Sequence, residues 1–469
     1  MTDGRGSTRS PNGDVFIVGA ARTPIGRFGG SLASVPATTL GAVAIRAAVE
    51  RAGLPLDGAA LPGTRPAGQS GSPASTRATT GATTRASTGA TTRATTRATS
   101  GATIDDVLMG QVLQAGVGQA PARQAALAAG LPPSVPATTV NRVCGSGMKA
   151  ILLAAQAIRA GDADVVVAGG MESMDLAPHL LPGARAGLRL GDGRLVDAAI
   201  HDALWCAIDD CHMGTNAERV AIARGISRAD QDAYALESHR RAIAAQDAGR
   251  FADELVPVLV SGPKGAMTTV EADEGPRRDT SAEALARLAP AFPLPADHPA
   301  DHPADVPAGH EAPRGTVTAG NAPGLSDGAA ATVVASERAV ERHGLRPLAR
   351  IVGYAEADVE PRWLFLAPVA GVRRLLERTG LALESFDLVE LNEAFAAQAL
   401  ADIRELGLDH GRVNVNGGSI ALGHPVGASG ARIVVTLLHE LRRRGGRYGL
   451  ATLCLGGGGS VAMAFERTA

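Results

Sequence analysis

The sequence predicts an α/β fold in which two similar units of strands and helices face each other. Three observations lead to it: apolar strand-like segments alternate with amphipathic helix-like segments, one pattern occurs twice, and 469 residues exceed what one hydrophobic core usually organises. Alternating strands and helices predict largely parallel sheets covered by helices.

The elements of the first half follow from their apolar patterns. Near the N-terminus, VFIVG predicts a buried strand, and TLGAVAIRAAVERAG predicts a helix with one apolar face. A second strand is expected from Ile104, in IDDVLMGQVLQ, and PARQAALAAG has helical composition with a terminal glycine stop.

The repeated pattern links the two halves. Its first copy is TVNRVCGSGMKAILLAAQAIRAGDADVVVAGG, and its second is NVNGGSIALGHPVGASGARIVVTLLHELRRRGGRYGLATLCLGGG. Each copy predicts a strand ending in Val-Asn, a glycine-rich turn, and Ser-Gly opening an amphipathic helix. Each helix ends in glycine and leads to an apolar strand. This duplication predicts that the catalytic groups lie where the two turns converge.

Two segments differ in composition from this pattern and are predicted to be inserts. Residues 55–103 consist mainly of Ala, Thr, Ser, Gly and Arg, which predicts disorder; nucleic-acid binding is the less favoured alternative. Residues 293–312 are rich in proline and histidine and predict an extended linker. A metal site at His298, His302 and His310 is disfavoured because no cysteine lies nearby.

The overall composition excludes several classes of protein. The formal net charge is −2, so no global charge recruits nucleic acid or an anionic membrane. No apolar run has the length of a membrane span, and the polar N-terminus lacks a secretory signal. Only four cysteines occur, too few for a disulfide framework, so a reducing, cytoplasmic location is expected.

Cys144 is the first candidate for chemistry. It lies in NRVCGSGM between a strand and a helix, where the helix N-terminus favours a thiolate and the glycines allow close substrate approach. The position is similar in logic to the nucleophile elbow of hydrolases. The alternative is a small buried cysteine that only fills space.

Three further residues are candidates for the same site. His424, in GGSIALGHPVGASG, is surrounded by glycines rather than by a core pattern, and an imidazole can take a thiol proton. Cys454 ends a strand before GGGGS, and no Lys-Ser/Thr follows, so a phosphate loop is excluded. Two interpretations remain: the glycines expose backbone N–H groups to an oxyanion, or the Cys454 thiol acts as a general base. Asn392, in LVELNEAFAAQ with Glu393, is either a helix cap or a polar group holding a water or carbonyl oxygen.

Taken in order, seven motifs resemble those of the thiolases, and the resemblance covers nearly the whole chain outside the tail and inserts. They are NRVCGSG, GGMESM, HMG, TAGNAPGLSDGAAA, NEAFA, GHPVGASG and CLGGGG. The resemblance implies the thiolase fold: two duplicated α/β core domains in a layered αβαβα arrangement with an inserted loop domain. It divides the chain into a flexible tail (1–13), an N-terminal core domain (14–173 with 326–346), a loop domain (174–325) and a C-terminal core domain (347–469).

The resemblance also implies a role for each catalytic candidate. Cys144 is implied as the nucleophile that carries the acyl group, and His424 as the residue that activates it and then helps stabilise the thioester oxygen. Cys454 is implied as the acid/base for the α-proton of the second acyl-coenzyme A. Asn392 is implied to hold the water of one oxyanion site, and the N–H groups of Cys144 and Gly456 to form the other. No metal or redox cofactor is implied; coenzyme A is substrate and product.

Substrate contacts are implied in the same way. Arg277, in DEGPRR, is similar to the arginine that meets the nucleotide end of coenzyme A; the alternative is a solvated loop charge. His212 and Met213 match the HMG of thiolases acting on short acyl chains, where the methionine narrows the acyl pocket. The apolar walls are expected from three further residues, although core packing also accounts for such side chains: Leu204, Ala319 and Phe395.

This chain departs from the family pattern at two places. Pro323 replaces a serine of many members and offers neither hydroxyl nor N–H to the pantetheine. The segment WLFLAP, from Trp363, is bulkier than expected and leaves chain-length preference open. Cys206 and Cys211 fall on no catalytic motif and are interpreted as packing or surface residues.

The resemblance implies acetyl transfer between acyl-coenzyme A molecules, with acyl-coenzyme A and coenzyme A as partners and no nucleic acid or membrane. The loop MDLAPHLLPGARAGLRLGDGRLVD resembles one that forms homotetramers. The first alternative is a degradative 3-ketoacyl-coenzyme A thiolase of broader chain length. A non-catalytic scaffold or lipid carrier is disfavoured because Cys144, His424 and Cys454 are all present. A decarboxylating condensing enzyme is disfavoured by the CLGGGG motif.

Overall fold

The computed structural model describes residues 13–56, 103–262, 265–294 and 315–468. The predicted tail and the two predicted inserts lie almost entirely outside these ranges, so their expected disorder and extension stay predictions. None of the helices within these ranges combines the length and hydropathy that crossing a membrane requires.

Strands and helices alternate along the described chain. The strands are β1 Val15–Arg22, β2 Gly26–Arg27, β3 Asp106–Gly110, β4 Ala137–Val140, β5 Val165–Ser173, β6 His179–Leu180, β7 Val196–Asp197, β8 Trp205–Cys206, β9 Cys211–His212, β10 Val258–Ser261, β11 Met267–Val270, β12 Ser326–Ser336, β13 Ala349–Asp358, β14 Leu388–Leu391, β15 Tyr448–Leu455 and β16 Gly459–Arg467. The helices are α1 Ala37–Arg51, α2 Pro121–Ala128, α3 Ser146–Ala160, α4 Met213–Ala223, α5 Arg228–Asp247, α6 Ala282–Ala286, α7 Glu337–His343, α8 Ala367–Thr379, α9 Ala396–Leu406, α10 Ser419–Leu422 and α11 Val426–Arg444.

The central sheet is mixed, so the prediction of largely parallel sheets is wrong. Its order is β14-β15-β16-β13-β1-β12-β5-β3-β4, with β2 beside β12. Only β3–β4, β3–β5 and β14–β15 pair in parallel. The alternation of strands and helices misleads because β15 and β16 form a tight hairpin, and because β12 returns from the inserted segment instead of through a strand–helix–strand crossover.

The helices and the two halves of this sheet form the layers that the resemblance implies. Helices α1 and α2 cover the outer face of the N-terminal strands, and α8 and α9 cover that of the C-terminal strands. Helices α3 and α11 lie between the two halves and pack against strands of both. The halves are joined edge to edge only where Phe16 and Ile17 of β1 pair with β13.

Close glycine contacts bring the two central helices together. A Cβ atom on Gly430 of α11 would lie 2.6 Å from the backbone nitrogen of Met148 in α3. A Cβ atom on Gly147 of α3 would lie 2.8 Å from the backbone nitrogen of Ala431. These glycines belong to the two Ser-Gly pairs of the repeated motif, and their lack of side chains lets the helix N-termini meet.

The second copy of the repeat differs from the first in two details. Helix α3 begins at Ser146 as predicted, but α11 begins at Val426, before its Ser-Gly pair. The strand predicted before the glycine-rich turn of the second copy is reduced to one β-bridge, between Val389 and Val413. Instead of strand pairing, the Asn414 side chain bonds the backbone of Leu391 through both its oxygen and its nitrogen, at 2.9 and 2.8 Å. An amide side chain thus satisfies backbone groups that a strand would otherwise pair.

Buried polar contacts tie the segment between β5 and β12 to the core. The Arg22 guanidinium of β1 bonds Glu254 at 2.6 Å and Asp273 at 2.7 Å, and all three side chains are buried. On the other side, the Glu393 carboxylate accepts hydrogen bonds from Tyr234 and Ser238 of α5. Because β5 ends at Ser173 and β12 begins at Ser326, the predicted loop domain lies outside the central sheet; its boundaries stay predictions.

Candidate active site

The nucleophile candidate follows a strained turn. Val143, immediately before Cys144, has φ +49°, a left-handed conformation that β-branched residues rarely adopt. Its N–H donates to Asn141 Oδ1 at 3.0 Å, and its carbonyl accepts from Ser146 Oγ at 2.6 Å. The turn therefore has its own hydrogen bonds, and it places the thiol at the start of α3 as an elbow would.

Burial decides the protonation of Cys144. It raises the pKa of the thiol to about 11, and the nearby Glu172 carboxylate adds to the rise. The N–H groups of Cys144 itself and of Gly456 hydrogen-bond the sulfur and oppose the rise. Cys144 is therefore a neutral thiol at neutral pH, despite the helix N-terminus, and it requires a base.

His424 has an unprotonated ring nitrogen and can act as that base. Ser429 Oγ donates to the Pro425 carbonyl at 3.0 Å and lies 2.6 Å from His424 Nδ1, so its one proton is used and it accepts from Nδ1–H. Nε2 is then the unprotonated nitrogen, buried and without a hydrogen-bond partner in the described structure. Burial, and secondarily Arg432, lowers the pKa of His424 to about 3, so the ring is neutral.

Cys454 lies close enough to Cys144 for a charge on one sulfur to affect the pKa of the other. Burial, then Cys144 and Asp402, raises the pKa of the Cys454 thiol well above its ordinary value. Cys454 pairs with Ser460 in the β15–β16 hairpin, and Gly456 occupies the turn. One hairpin thus carries both the second thiol and the N–H that points at the first.

Asn392 is not a helix cap, since Phe395 occupies the N-cap of α9. Its Oδ1 accepts from Ser419 Oγ at 2.7 Å, and Ser419 Oγ in turn accepts from Arg432 at 2.8 Å. The Asn392 Nδ2 atom is buried and makes no hydrogen bond to the part of the chain described. A fixed amide with a free N–H is what holding a water or carbonyl oxygen requires.

Every predicted site residue except Asn392 lines a single cavity of about 410 Å³. The apolar walls include three residues that sequence reasoning did not assign: Phe292, Leu364 and Phe365. Phe292 stacks on His212 at 4.6 Å, and Phe395 contacts Phe365 at 5.3 Å in an edge-on arrangement. The cavity therefore combines two thiols and one imidazole with a largely apolar wall.

The expected acyl-pocket residues contact this wall directly. His212 is the N-cap of α4, where its Nδ1 accepts from Gly214 N at 3.0 Å. A Cβ atom built on Gly456 would lie 3.8 Å from Met213 Cε, so the methionine methyl group is next to the oxyanion candidate. Leu204 ends the π-helix Ala199–Leu204 and immediately precedes β8, whose Trp205 pairs with His212 of β9.

Arg277 lies where the apolar cavity meets a polar one of about 520 Å³. One loop, which includes Ala319, lines both cavities. The Arg277 guanidinium makes no ion pair with any described residue, whereas its neighbour Arg278 pairs with Asp247 at 2.6 Å. Arg277 therefore remains available for an anionic ligand.

Two family models match the chain. The thiolase N-terminal domain matches residues 15–60 and 83–338, and the thiolase C-terminal domain matches residues 345–467. This chain belongs to the thiolase family.

Relatives and solved structures agree with the assignment to the thiolases. The chain is 49% identical to an acetyl-CoA acetyltransferase of Pseudomonas aeruginosa and 48% identical to one of Chromobacterium violaceum; the alignments cover 97% of this chain and 99% and 100% of those proteins. It superposes on the crystal structure of the Bacillus anthracis acetyl-CoA acetyltransferase with a TM-score of 0.82 at 38% identity, covering 97% of this chain and 99% of that one. The Syntrophomonas wolfei acetyl-CoA acetyltransferase gives 0.81 at 36% identity, with the same coverages.

Sequence reasoning missed the residue that positions the histidine turn of this thiolase. The buried Glu172 carboxylate accepts N–H groups from Val112 at 2.9 Å, Leu113 at 3.3 Å and Gly427 at 3.0 Å. It thereby joins the end of β5 to the first turn of α11. Burial raises its pKa to about 7. The motif GGMESM contains it, but the chain distance of 255 residues to Gly427 hides its role.

The departures from the family pattern have different positions in the structure. Pro323 lines the apolar cavity, so the serine hydroxyl that many family members have at this position is missing from the cavity wall. Within WLFLAP, Leu364 and Phe365 face the cavity and Trp363 does not. No group of histidine, cysteine and acidic residues within the described ranges has a metal-binding arrangement, and the absence of a cofactor stays a prediction.

Proposed function

We propose that this thiolase is an acetyl-CoA acetyltransferase that reversibly condenses two acetyl-coenzyme A molecules through an acyl-Cys144 intermediate. The observation that carries the proposal is one apolar cavity that holds a thiol with its histidine base, a second thiol, and the backbone N–H groups of Cys144 and Gly456. Relatives named acetyl-CoA acetyltransferase, nearly half identical over almost their whole length, support it.

The first half-reaction transfers an acetyl group to the enzyme. His424 Nε2 takes the Cys144 proton as the sulfur attacks the thioester carbon, because neither group is charged at rest. The resulting oxyanion needs donors, and the N–H groups of Cys144 and Gly456 already point at the sulfur. Coenzyme A leaves as a thiol and leaves acetyl-Cys144 behind.

The second half-reaction forms the carbon–carbon bond. Cys454 gives its proton to the departing coenzyme A and, as the thiolate, removes a proton from the methyl group of a second acetyl-coenzyme A, whose carbonyl oxygen is stabilised by the protonated His424 and by a water held on Asn392 Nδ2. The carbanion attacks the acetyl carbon of acetyl-Cys144, the Cys144 sulfur leaves and recovers the proton held by His424, and acetoacetyl-coenzyme A is released with Cys454 protonated again. Thiolysis runs through the same steps in reverse. None of these steps requires a metal or redox cofactor.

A broad-chain 3-ketoacyl-coenzyme A thiolase is the second candidate, favoured by the apolar wall that Leu364 and Phe365 add. Relative kcat/KM for acetoacetyl-coenzyme A and 3-ketohexadecanoyl-coenzyme A distinguishes the two. The proposal expects a strong preference for the short substrate, and a Met213→Ala variant with a reduced preference. Met267→Ala is the matched control, since Met267 is 58% exposed and does not line the cavity. Comparable rates on both substrates in the wild type would favour the second candidate.

We further propose a homotetramer. The segment between β6 and β7 exposes Leu188, Leu190 and Leu195, with Leu190 100% accessible in the isolated chain. Arginines 185, 189 and 194 accompany them. Apolar side chains in such numbers on one loop favour contact with further copies of the chain. Light scattering of the wild type and of Leu190→Asp tests this, and a monomeric wild type would contradict it. A cytoplasmic location stays a prediction from the sequence.

A further inference from the structure

The structure brings the two remaining cysteines into cross-strand register beside the acyl pocket. Cys206 of β8 and Cys211 of β9 are direct partners in an antiparallel two-stranded hairpin. Direct partners in such a ladder have Cα atoms about 4.5–5.5 Å apart. Disulfides form at Cα separations of about 4.4–6.8 Å, a range that includes the separation of such partners.

The two thiols occupy one environment but differ in access. Both belong to the apolar cluster that also contains Cys454. Cys206 is 2% exposed and its sulfur accepts the N–H of Asp209 at 3.4 Å, whereas Cys211 is half-buried. Proximity of Cys206 contributes to the raised pKa of the Cys211 thiol, after burial. Cys211 is thus the more accessible residue of the two.

We propose that Cys206 and Cys211 are a redox-active pair that forms a reversible disulfide. The co-reactant is a low-molecular-weight disulfide. The Cys211 thiolate attacks one of its sulfurs and expels the first thiolate, and Cys206 then attacks Cys211 Sγ and expels the second. The protein thiols lose two protons and two electrons, and the co-reactant gains them and leaves as two thiols.

The hairpin gives the pair a connection to the active site. Leu204 immediately precedes β8, and His212 and Met213 follow Cys211; all three line the apolar cavity. Trp205 and His212 form the neighbouring cross-strand pair. A disulfide at Cys206–Cys211 therefore cross-links the two strands that lead to these wall residues.

The test uses oxidised glutathione on folded protein. The variant Cys144→Ala/Cys454→Ser retains only the proposed pair, because the chain has four cysteines. After treatment and alkylation, we expect an intact mass lower by two hydrogens, one cross-linked Cys206–Cys211 peptide, and full reversal by dithiothreitol. Peptide mapping of treated wild-type protein provides the same readout if the double variant fails to fold.

Single variants test the different access of the two sulfurs. With Cys206→Ser added, Cys211 should keep one glutathione as a stable mixed disulfide, because the resolving thiol is gone. With Cys211→Ser added, the buried Cys206 should remain unmodified. Two free thiols in the treated pair-only and wild-type proteins would overturn the proposal, as would a lasting glutathione adduct on Cys211 while Cys206 is present.

Discussion

The Nδ1 atom of His424 lies 2.6 Å from Ser429 Oγ, and this contact leaves Nε2 as the only ring nitrogen free to accept a proton. Ser429 lies in the first turn of α11, whose start is fixed by Glu172 through the N–H of Gly427. The base is thus held in one tautomer by its own helix.

We expect Ser429→Ala to lower kcat for thiolysis about 5- to 150-fold, since a lost partner for a buried donor costs about 1–3 kcal/mol. KM should change little because Ser429 does not line the cavity. Ser385→Ala, in a short 3-10 helix away from the site, is the matched control. A variant with wild-type kcat would show that the serine does not set the tautomer.

The pH dependence of Cys144 alkylation follows from its burial. With a pKa raised to about 11, the thiolate fraction is small at neutral pH and grows about tenfold per pH unit until it levels off near that value. Iodoacetamide, which is uncharged, should therefore label Cys144 at a rate that rises steadily from pH 7 to pH 10. Cys144→Ala corrects for labelling elsewhere. A rate that levels off near neutral pH would contradict the expected neutral thiol.

The sequence predicted the candidate site better than the sheet. Cys144 and His424 stand in glycine-rich turns and Cys454 lies just before one, and the repeat indicates that the turns at Cys144 and His424 converge. Sheet direction was predicted wrongly because it depends on which strands become neighbours. β1 and β12, for example, are adjacent although hundreds of residues separate them.

The residues that position the site were the hardest to predict. Glu172 and Ser429 act through hydrogen bonds that exist only once the chain has folded, and Phe292 reaches the cavity by stacking on His212. No local pattern distinguishes such residues from ordinary polar or core positions. The close approach of α3 and α11 was visible only as two Ser-Gly pairs, whose meaning becomes clear from the contact between them.

Gly430→Ala should separate the two central helices. The new Cβ atom would lie 2.6 Å from the Met148 backbone nitrogen, a contact that only a backbone shift relieves. We expect the free energy of unfolding to fall by about 1–3 kcal/mol, together with a lower kcat because Cys144 and His424 move apart. Gly411→Ala, whose Cβ would meet only the Asp409 side chain, is the control. Unchanged stability and activity would show that the helix contact is not tight.

Arg277→Ala should raise KM for acetoacetyl-coenzyme A and for coenzyme A several-fold with little change in kcat, since this unpaired guanidinium lies where the apolar cavity meets the polar one and is not among the groups that shift the Cys144 pKa. Arg278→Ala is the comparison variant: Arg278 lines the same polar cavity, but its guanidinium is paired with Asp247, and that exposed pair contributes little to stability. Equal effects of the two variants would indicate that only the general positive charge of the loop matters.

Cys144 is the residue proposed to carry the acyl group, and the cleavage of acetoacetyl-coenzyme A by coenzyme A should be measured in the wild type and in Cys144→Ala. We expect the wild type to cleave the substrate. When coenzyme A is withheld, mass spectrometry should find an acetyl group bound to Cys144 as a thioester. Folded Cys144→Ala should show neither the activity nor the adduct. Cleavage that persists in Cys144→Ala, or an acetyl group on Cys454 instead, would contradict this role of Cys144.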